Sequence, residues 1–124
     1  MKTILIVDDH ADIRRLIRMT LEFEDYDIRE AADGETALRM AQEQRPDLVL
    51  LDVMMPGPVN GLEVCRRLRA DVPAGQGPRV IMLSARGQAS DREAGLQAGA
   101  DIYLVKPFSP LQLIDCIAEL WAPA

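Results

Sequence analysis

The chain has 124 residues, of which 48% are hydrophobic and 27% are charged, the size and balance of one globular domain. Its net charge of −6 argues against direct binding to nucleic acids, which requires a basic surface. The apolar runs are only a few residues long, so we expect neither a membrane span nor a secretory signal. The two cysteines are interpreted as reduced thiols of a cytoplasmic protein.

From the N-terminus, short β-type runs alternate with amphipathic segments. The run TILIV (3–7) predicts a first strand, and the helical periodicity of residues 11–24 predicts a first helix. The apolar stripe of this helix contains Ile13, Leu16, Ile17, Thr20 and Leu21. A more polar strand candidate (26–31) and a second helix (34–45) precede DLVLL (47–51), whose uninterrupted apolar character predicts a strand covered on both faces.

The second half of the chain repeats this alternation. It predicts helices at residues 61–70, 88–98 and 110–121 and strands at residues 79–84 and 101–105. Residues 71–78 are rich in proline and glycine and are predicted to form a loop. Gly99 is suited to end the fourth helix, and Ser109 is suited to cap the fifth. Five strand–helix units in strict alternation predict a parallel sheet with helices on both faces.

Polar side chains are predicted at the carboxyl ends of the strands, where folds of this kind form their sites. Asp8 and Asp9 follow the first predicted strand, Asp52 follows the third, Ser84 ends the fourth and Lys106 follows the fifth. Taken singly, each is explained by a turn, a helix cap or a solvated surface charge. Their joint placement at four strand ends predicts that three carboxylates, a hydroxyl and an ammonium group converge on one edge of the sheet.

Such a set of side chains fits phosphoryl chemistry supported by a cation. Mg²⁺ binds through carboxylates, water and phosphate oxygens, and its charge would relieve the repulsion between the adjacent Asp8 and Asp9. A carboxylate such as Asp52 can act as a nucleophile and form an aspartyl-phosphate. Lys106 is a suitable cation for the phosphoryl oxygens, and Ser84 is a suitable hydrogen-bond donor.

Four segments carry a family resemblance: VDD, LLDVMMPG, MLSA and YLVKPF, in this order and spacing. Together they resemble the receiver domain of two-component response regulators. The resemblance extends over essentially the whole chain, so residues 1–124 are expected to form one receiver domain with no output domain present. It implies an α/β fold of the flavodoxin-like (βα)5 type, doubly wound, with a five-stranded parallel sheet of order 2-1-3-4-5.

The resemblance also implies roles for the residues at the strand ends. Asp52 is implied to be the phospho-acceptor. Asp8 and Asp9 are implied to be the acidic pair, with Asp9 a direct Mg²⁺ ligand and Asp8 acting chiefly through water. The backbone carbonyl of Met54 is implied to be a further ligand, and Mn²⁺ is expected to substitute for Mg²⁺. Ser84 is implied to move toward the phosphoryl group and bond it.

Three further implications of the resemblance concern the fifth strand and the residues that follow it. Lys106 is implied to pair with the phosphoryl group. Tyr103 is implied to be an aromatic switch residue that turns inward when Ser84 moves. The Lys106–Pro107 peptide bond is expected to be cis.

The chain departs from the common receiver pattern after the acceptor. Where receivers commonly read MPGMDG, this sequence reads MMPGPVNG, which is one residue longer and has Asn60 where Asp is common. Pro58 adds stiffness, and the path of residues 56–60 is not predicted. Met54 and Arg86 flank the expected phosphoryl site. One hypothesis is that they lengthen the phosphorylated lifetime; the alternative is that Arg86 points to solvent.

These features predict a phosphorylation-dependent signalling switch rather than a turnover enzyme. A sensor histidine kinase or a histidine phosphotransfer protein is expected to donate the phosphoryl group to Asp52. The surface of the fourth helix, fifth strand and fifth helix then changes for a downstream protein, a missing output domain or a second copy of the chain. Two alternatives are a receiver-like binding module that acts without phosphorylation and a Mg²⁺-dependent phosphohydrolase, which would need a cap over its substrate.

Several residues outside these motifs are interpreted without a catalytic role. His10, the only histidine, is interpreted as a surface or docking residue rather than a metal ligand. Cys65 and Cys116 are too few for a disulfide framework or a metal cluster, and we interpret them as reduced, core-facing thiols. The arginines of the first and third helices are interpreted as solvated helix faces, with partner docking as the alternative: Arg14, Arg15, Arg18, Arg66, Arg67 and Arg69.

Overall fold

The computed structural model describes residues 1–70, 72–73 and 76–121. In this part of the chain five strands alternate with five helices. The strands are β1 (Lys2–Val7), β2 (Tyr26–Ala31), β3 (Leu48–Asp52), β4 (Arg79–Ser84) and β5 (Ile102–Val105). The helices are α1 (Ala11–Leu21), α2 (Gly34–Gln44), α3 (Gly61–Ala70), α4 (Ala89–Gln97) and α5 (Pro110–Trp121). None of these helices has the length and apolar character that crossing a membrane requires.

The strands form one parallel sheet in the order β2-β1-β3-β4-β5. This order confirms the predicted doubly wound fold. The central strand β3 is buried along its whole length, since it has a neighbour on each side and a hydrophobic core on each face. Val7 lies opposite Leu51 and Asp52 lies opposite Leu83, so β1, β3 and β4 end at one edge of the sheet.

Each face of the sheet carries its own hydrophobic core, because alternate residues of a strand point to opposite faces. On one face α2 and α3 contribute Ala37, Ala41, Val64 and Cys65. On the other face α1 and α5 contribute Ile17, Leu21, Leu113 and Ile117. Helices therefore cover both faces, as predicted.

The first helix is shorter than the predicted range 11–24. It ends at Leu21, and the chain then turns through Phe23 to reach β2. Phe23, the one apolar residue of the segment 22–25, is exposed and does not contribute to the core. Leu16 is also exposed, and the buried part of the predicted stripe is narrower than the sequence pattern indicated.

The third strand lies one residue further along the chain than the predicted range 47–51. It begins at Leu48 and includes Asp52, which the sequence pattern placed just beyond the strand. The ladder to β4 continues to the pair Asp52–Leu83, so the acid belongs to the hydrogen-bonded sheet. The direction of its side chain is therefore set by the strand rather than by a loop.

Local signals at the ends of the last two helices match the structure. Gly99 follows Ala98, the C-cap of α4, and has φ +111°, a conformation that favours glycine. Ser109 and Gln112 cap α5 reciprocally: the Gln112 N–H donates to Ser109 Oγ, and the Ser109 N–H donates to Gln112 Oε1. Of the predicted loop at 71–78, Asp71, Ala74 and Gly75 lie outside the described residues.

Both cysteines pack against apolar side chains, as interpreted from the sequence. Cys65 is a buried residue of α3, and Cys116 of α5 is half-buried on the opposite face of the sheet. The two thiols are therefore free and separate. Burial raises the pKa of the Cys65 thiol to about 11 and also raises the pKa of Cys116. Thiols in this state are protonated and poorly reactive at neutral pH.

Candidate functional site

The polar residues predicted from the strand ends do meet at one edge of the sheet. Asp8 follows β1, Asp52 ends β3, Ser84 ends β4 and Lys106 follows β5. Asp8, Asp52 and Ser84 are 0%, 2% and 1% exposed. Burying polar groups so completely is costly unless each is paired, so their partners define the site.

Lys106 pairs with two of the buried acids. Its Nζ donates to Asp8 Oδ2 at 3.1 Å and to Asp52 Oδ1 at 3.3 Å. Its backbone N–H donates to the Ser84 carbonyl at 2.7 Å, which ties the residue to the end of β4, and the Lys106–Pro107 bond is cis. The ammonium group therefore compensates part of the negative charge that β1 and β3 deliver to this edge.

The pKa of the Asp52 carboxyl group is raised. Burial, followed by the negative charge of Asp8, raises the pKa of Asp52 from 3.8 to about 6, although Lys106 and the backbone N–H of Met54 act in the opposite direction. At neutral pH the Asp52 carboxylate is therefore mostly ionised, and a neighbouring cation would favour that form further.

The two acids of the first loop have different surroundings. Asp8 Oδ1 accepts the His10 backbone N–H at 2.8 Å and lies 3.1 Å from His10 Nδ1, while Asp8 Oδ2 accepts from Lys106. Asp9 Oδ1 is buried without a hydrogen-bond partner among the described residues. An unpaired buried carboxylate oxygen is costly, so Asp9 has an oxygen available for a cation, whereas Asp8 is already occupied.

Arg14 of α1 donates a hydrogen bond to the backbone of the acidic loop. Arg14 donates to the backbone carbonyl of Asp8 at 2.6 Å and to Glu30 at 3.1 Å, and Arg18 donates to the same glutamate at 2.7 Å. The interpretation of Arg14 as a solvated side chain was therefore wrong. The spacing of Arg14 and Arg18, one helical turn apart, is compatible with a shared partner, but the sequence does not indicate that Glu30 of β2 is that partner.

Close backbone approach also shapes the edge. A Cβ on Gly61, the first residue of α3, would lie 2.2 Å from the carbonyl oxygen of Asp52, so α3 can begin here only with glycine. Asn60 Oδ1 accepts the Glu63 N–H at 3.0 Å and caps the helix. Within the segment 56–60, Val59 is buried, and a Cβ on Gly34 would clash with it. The departure from the family pattern is thus accommodated by packing against the start of α2.

Ser84 and Tyr103 share a partner in Arg86. Ser84 Oγ accepts the Arg86 backbone N–H at 3.1 Å, and the Tyr103 hydroxyl donates to the Arg86 carbonyl at 2.7 Å. Tyr103 is buried, so its ring already occupies an inward position in this structure. The backbone of Arg86 therefore links the hydroxyl at the acidic edge to the aromatic ring on β5.

The two residues that flank the site are exposed. Met54 and the side chain of Arg86 both face outward, and in the described part of the chain the Arg86 guanidinium makes neither a hydrogen bond nor an ion pair. The solvent-facing alternative for Arg86 is compatible with this arrangement. A role of either side chain in the phosphorylated lifetime stays a prediction.

His10 stands closer to the acids than the sequence indicated. Its Nδ1 lies 3.1 Å from Asp8 Oδ1 and 3.2 Å from Asp9 Oδ1, although its side chain is 62% exposed. One ligand atom from each of Asp8, Asp9, His10 and Asp52 lies within 4.8 Å of the others. Position directly after the acidic pair was the only sequence signal for this proximity.

The donor set fits a hard divalent cation. Mg²⁺ is usually bound through one or two carboxylates, with water and phosphate oxygens completing its coordination. Asp9 and Asp52 can supply such oxygens, and the unpartnered Asp9 oxygen is the observation that supports a cation here. Asp8 can act through water, since its two oxygens already have protein partners.

Comparisons with known proteins show the family to which the chain belongs. The sequence fits the family described as "Response regulator receiver domain" over residues 4–118. It is 49% identical over 111 residues to the "Transcriptional regulatory protein ResD" of Bacillus subtilis, and 45% identical over 111 residues to the "DNA-binding response regulator MtrA" of Mycobacterium tuberculosis. These alignments cover 90% of this chain but only 44% and 46% of those proteins. The chain thus spans about half the length of the curated relatives it matches.

Solved structures show the same fold. The chemotaxis protein CheY4 of Vibrio cholerae is 33% identical, with a TM-score of 0.87 over 96% of this chain and 98% of that chain. The BeF3-activated DrrB receiver domain is 30% identical, with a TM-score of 0.84 over 96% of each chain.

Proposed function

This chain belongs to the response regulator receiver family, and we propose that it is a phosphorylation-dependent switch whose phospho-acceptor is Asp52. Receiver domains serve two-component signalling as phospho-acceptors and are not enzymes of the ordinary kind. The observation that carries the assignment is the placement of Asp52: its carboxylate is buried at the carboxyl edge of the sheet, and Lys106 donates both to it and to Asp8.

The chemistry is transfer of a phosphoryl group from a phosphohistidine. An oxygen of Asp52 forms the new bond to phosphorus, the phosphorus–nitrogen bond breaks, and the histidine nitrogen of the donor keeps the electron pair. A pKa of about 6 leaves Asp52 mostly ionised, hence nucleophilic, at neutral pH. The donor is a sensor histidine kinase or a histidine phosphotransfer protein.

The remaining side chains position the acceptor and stabilise charge. Lys106 is already 3.3 Å from Asp52 Oδ1 and is placed to pair with a phosphoryl oxygen. Asp9 and Asp52, with the carbonyl of Met54, would hold Mg²⁺, and Asp8 would orient its water. Mg²⁺, when bound, supplies positive charge to the oxygens of the transferring group. Lys106 and the cation would together allow the extra negative charge of the phosphoryl group at this buried edge.

The switch would be transmitted through the backbone of Arg86. If Ser84 Oγ turns to bond the phosphoryl group, the Arg86 N–H loses its present acceptor, and the loop between β4 and α4 is free to shift. The carbonyl oxygen of Arg86 accepts a hydrogen bond from the Tyr103 hydroxyl. Movement of the Arg86 backbone would therefore also affect β5 and the surface of α4, β5 and α5. The added charge at Asp52 would then shift the equilibrium between two conformations of the surface formed by α4, β5 and α5.

A full switch sets a minimum energy. Moving a population from 1:99 to 99:1 requires about 5.5 kcal/mol in favour of the active state. Charge-assisted hydrogen bonds supply roughly 1.5–3 kcal/mol each, so one or two new bonds to the phosphoryl group would give a partial to nearly complete shift. We propose that the changed surface acts on a downstream protein, on an output domain joined to this chain, or on a second copy of it.

Phosphorylation of the full chain with acetyl phosphate and Mg²⁺ tests the assignment. Intact mass and hydroxylamine sensitivity should reveal one acyl phosphate in the wild type and in Asp115→Asn, which removes an exposed acid of α5, but none in Asp52→Asn. Labelling that persists in Asp52→Asn would reject the acceptor. Lack of labelling in the wild type would favour a binding module that acts without phosphorylation, and turnover of a generic phosphate ester would favour a phosphohydrolase.

A further inference from the structure

We propose that His10 is a nitrogen ligand at the acidic site and widens its selectivity from Mg²⁺ toward divalent transition ions such as Co²⁺ and Zn²⁺. The proposal rests on the proposed function in one respect, namely that Asp9 and Asp52 bind a divalent cation. It adds a residue and a class of ions to that site.

The distances carry the proposal. His10 Nδ1 lies 3.2 Å from Asp9 Oδ1 and 3.1 Å from Asp8 Oδ1. In an octahedral site with bonds of about 2.1 Å, adjacent ligands are separated by about 3 Å. The separation of His10 Nδ1 from Asp9 Oδ1 is therefore close to that of two neighbouring ligands of one ion.

The position of His10 in the chain explains its orientation. It is the residue before α1, with an extended backbone (φ −96°, ψ 112°), and its side chain makes no capping hydrogen bond to the helix. Its backbone N–H is bound to Asp8 Oδ1, which holds the residue beside the acidic pair. The imidazole is not used as a helix cap, and its Nδ1 contacts Asp8 Oδ1 at 3.1 Å, a contact that a bound metal ion would replace.

The buried Asp9 oxygen is an independent sign that a ligand belongs here. Asp9 Oδ1 has no hydrogen-bond partner among the described residues, and the contact with His10 Nδ1 does not have hydrogen-bond geometry. A cation between Asp9 Oδ1 and His10 Nδ1 would give Asp9 Oδ1 a partner and would replace the present contact of His10 Nδ1 with Asp8 Oδ1. The imidazole would then be neutral, with its proton on Nε2.

The chemistry of the donor determines which ions benefit. Mg²⁺ prefers oxygen ligands and gains little from an imidazole, whereas Co²⁺, Ni²⁺ and Zn²⁺ gain much more from nitrogen. Carboxylates alone make a site for Mg²⁺ or Mn²⁺, and the addition of His10 raises the affinity for later ions selectively. Such an ion would compete with Mg²⁺ for Asp9 and Asp52, so His10 makes the acceptor site sensitive to transition metals.

The test combines spectroscopy with binding. Pulsed EPR of Mn²⁺ bound to the full chain should show coupling to an imidazole ¹⁴N that is absent in His10→Ala and in His10→Gln. Calorimetric titrations should show that both substitutions weaken Co²⁺ binding by at least about tenfold while Mg²⁺ affinity changes by less than twofold. Thermal melts verify that both variants fold, and Cys116→Ser serves as the background that removes the more accessible thiol.

The outcomes separate the two proposals. If Mg²⁺ binds and the nitrogen coupling is absent, His10 is not a ligand, while the proposed function stands. An equal loss of Mg²⁺ and Co²⁺ affinity in the His10 variants would also overturn the proposal, because it would show that His10 only holds the loop in place. If neither cation binds the wild type, both the His10 ligand and the metal site of the proposed function are wrong.

Discussion

Lys106 Nζ lies 3.1 Å from Asp8 Oδ2, although the two residues are 98 positions apart in the chain. β3 and β4 lie between their strands in the sheet, so the lysine side chain reaches across the carboxyl end of β3. On this path it also contacts Asp52 Oδ1 at 3.3 Å. The charge balance of the acceptor therefore depends on a lysine from the opposite end of the sequence.

Replacing Lys106 by Met should destabilise the protein in a pH-dependent manner. Loss of the ammonium leaves Asp8 and Asp52 buried without compensation, which should lower the free energy of unfolding at pH 7.5 by up to about 3 kcal/mol. The pKa of Asp52 should rise further above about 6, because Lys106 now lowers it. At pH 5 Asp52 would be protonated in the variant, so the loss in the free energy of unfolding should be smaller than at pH 7.5. Urea denaturation without divalent cations measures both values.

The matched control for that substitution is Lys2→Met. Lys2 is the other lysine of the chain and is exposed, with its ammonium 4.4 Å from the centre of the Trp121 ring. Its removal should cost about 1 kcal/mol or less at either pH. If Lys106→Met lost equal stability at pH 7.5 and pH 5, the ammonium would not be compensating Asp52.

Asp52→Asn should stabilise the protein in the absence of divalent cations. The pKa of Asp52 is about 6 in the folded state and 3.8 ordinarily, so ionisation is more costly in the folded than in the unfolded chain. The cost is absent below about pH 4, grows as pH rises to about 6, and is complete above it. Asparagine removes it, so we expect a gain of about 1–3 kcal/mol at pH 7.5 and little difference at pH 4.

Denaturation curves at the two pH values measure this gain, and Asp115→Asn, which removes an exposed acid, serves as control. A stability difference between Asp52→Asn and the wild type that is the same at pH 7.5 and pH 4 would contradict the raised pKa.

The two acids of the first loop should differ in their effect on Mg²⁺ affinity. Asp9 has an unpartnered oxygen, whereas the oxygens of Asp8 are engaged by His10 and Lys106. Asp9→Asn should therefore weaken Mg²⁺ binding by more than about tenfold, and Asp8→Asn by less. Isothermal titration, supported by the rise in melting temperature with added Mg²⁺, compares them. A larger loss from Asp8→Asn would make Asp8 the direct ligand.

Gly95→Ala should disturb the packing of Tyr103. A Cβ at this position of α4 would lie 2.7 Å from Tyr103 Cδ2 and 3.0 Å from Met82 Sδ, so the ring or the helix must move. Overpacking of this kind costs about 1–3 kcal/mol, more than the roughly 1 kcal/mol that alanine contributes to helix propensity. We therefore expect a net loss of stability in thermal or urea melts.

A double-mutant cycle assigns that loss to the ring. In a Tyr103→Leu background the clash with the aromatic carbons disappears, so Gly95→Ala should be neutral or stabilising. An equal cost in both backgrounds would show that Met82 rather than Tyr103 limits the space. Tyr103→Phe, which removes only the hydroxyl bonded to the Arg86 carbonyl, separates the hydrogen bond from the packing.

Long-range packing decides the features that the local sequence does not predict. The periodicity of residues 11–24 predicts a helix, but α1 ends at Leu21, and Phe23 beyond it is exposed rather than packed against the sheet. Arg14 was interpreted as solvated because its partner, Glu30, lies on another element. His10 was interpreted as a surface residue, which its exposure supports, yet its Nδ1 is directed toward the acidic pair.

The sequence by itself determined the order of strands and helices, the family and the set of polar residues at the strand ends. These features are local, since hydrophobic periodicity and residue type next to a strand need no knowledge of distant segments. Only the tertiary structure decided which charged groups pair. Lys106 donates hydrogen bonds to Asp8 and Asp52, while one oxygen of Asp9 has no hydrogen-bond partner among the described residues. Pairing of this kind depends on burial and side-chain direction across strands brought together by folding, and no local pattern in the chain encodes it.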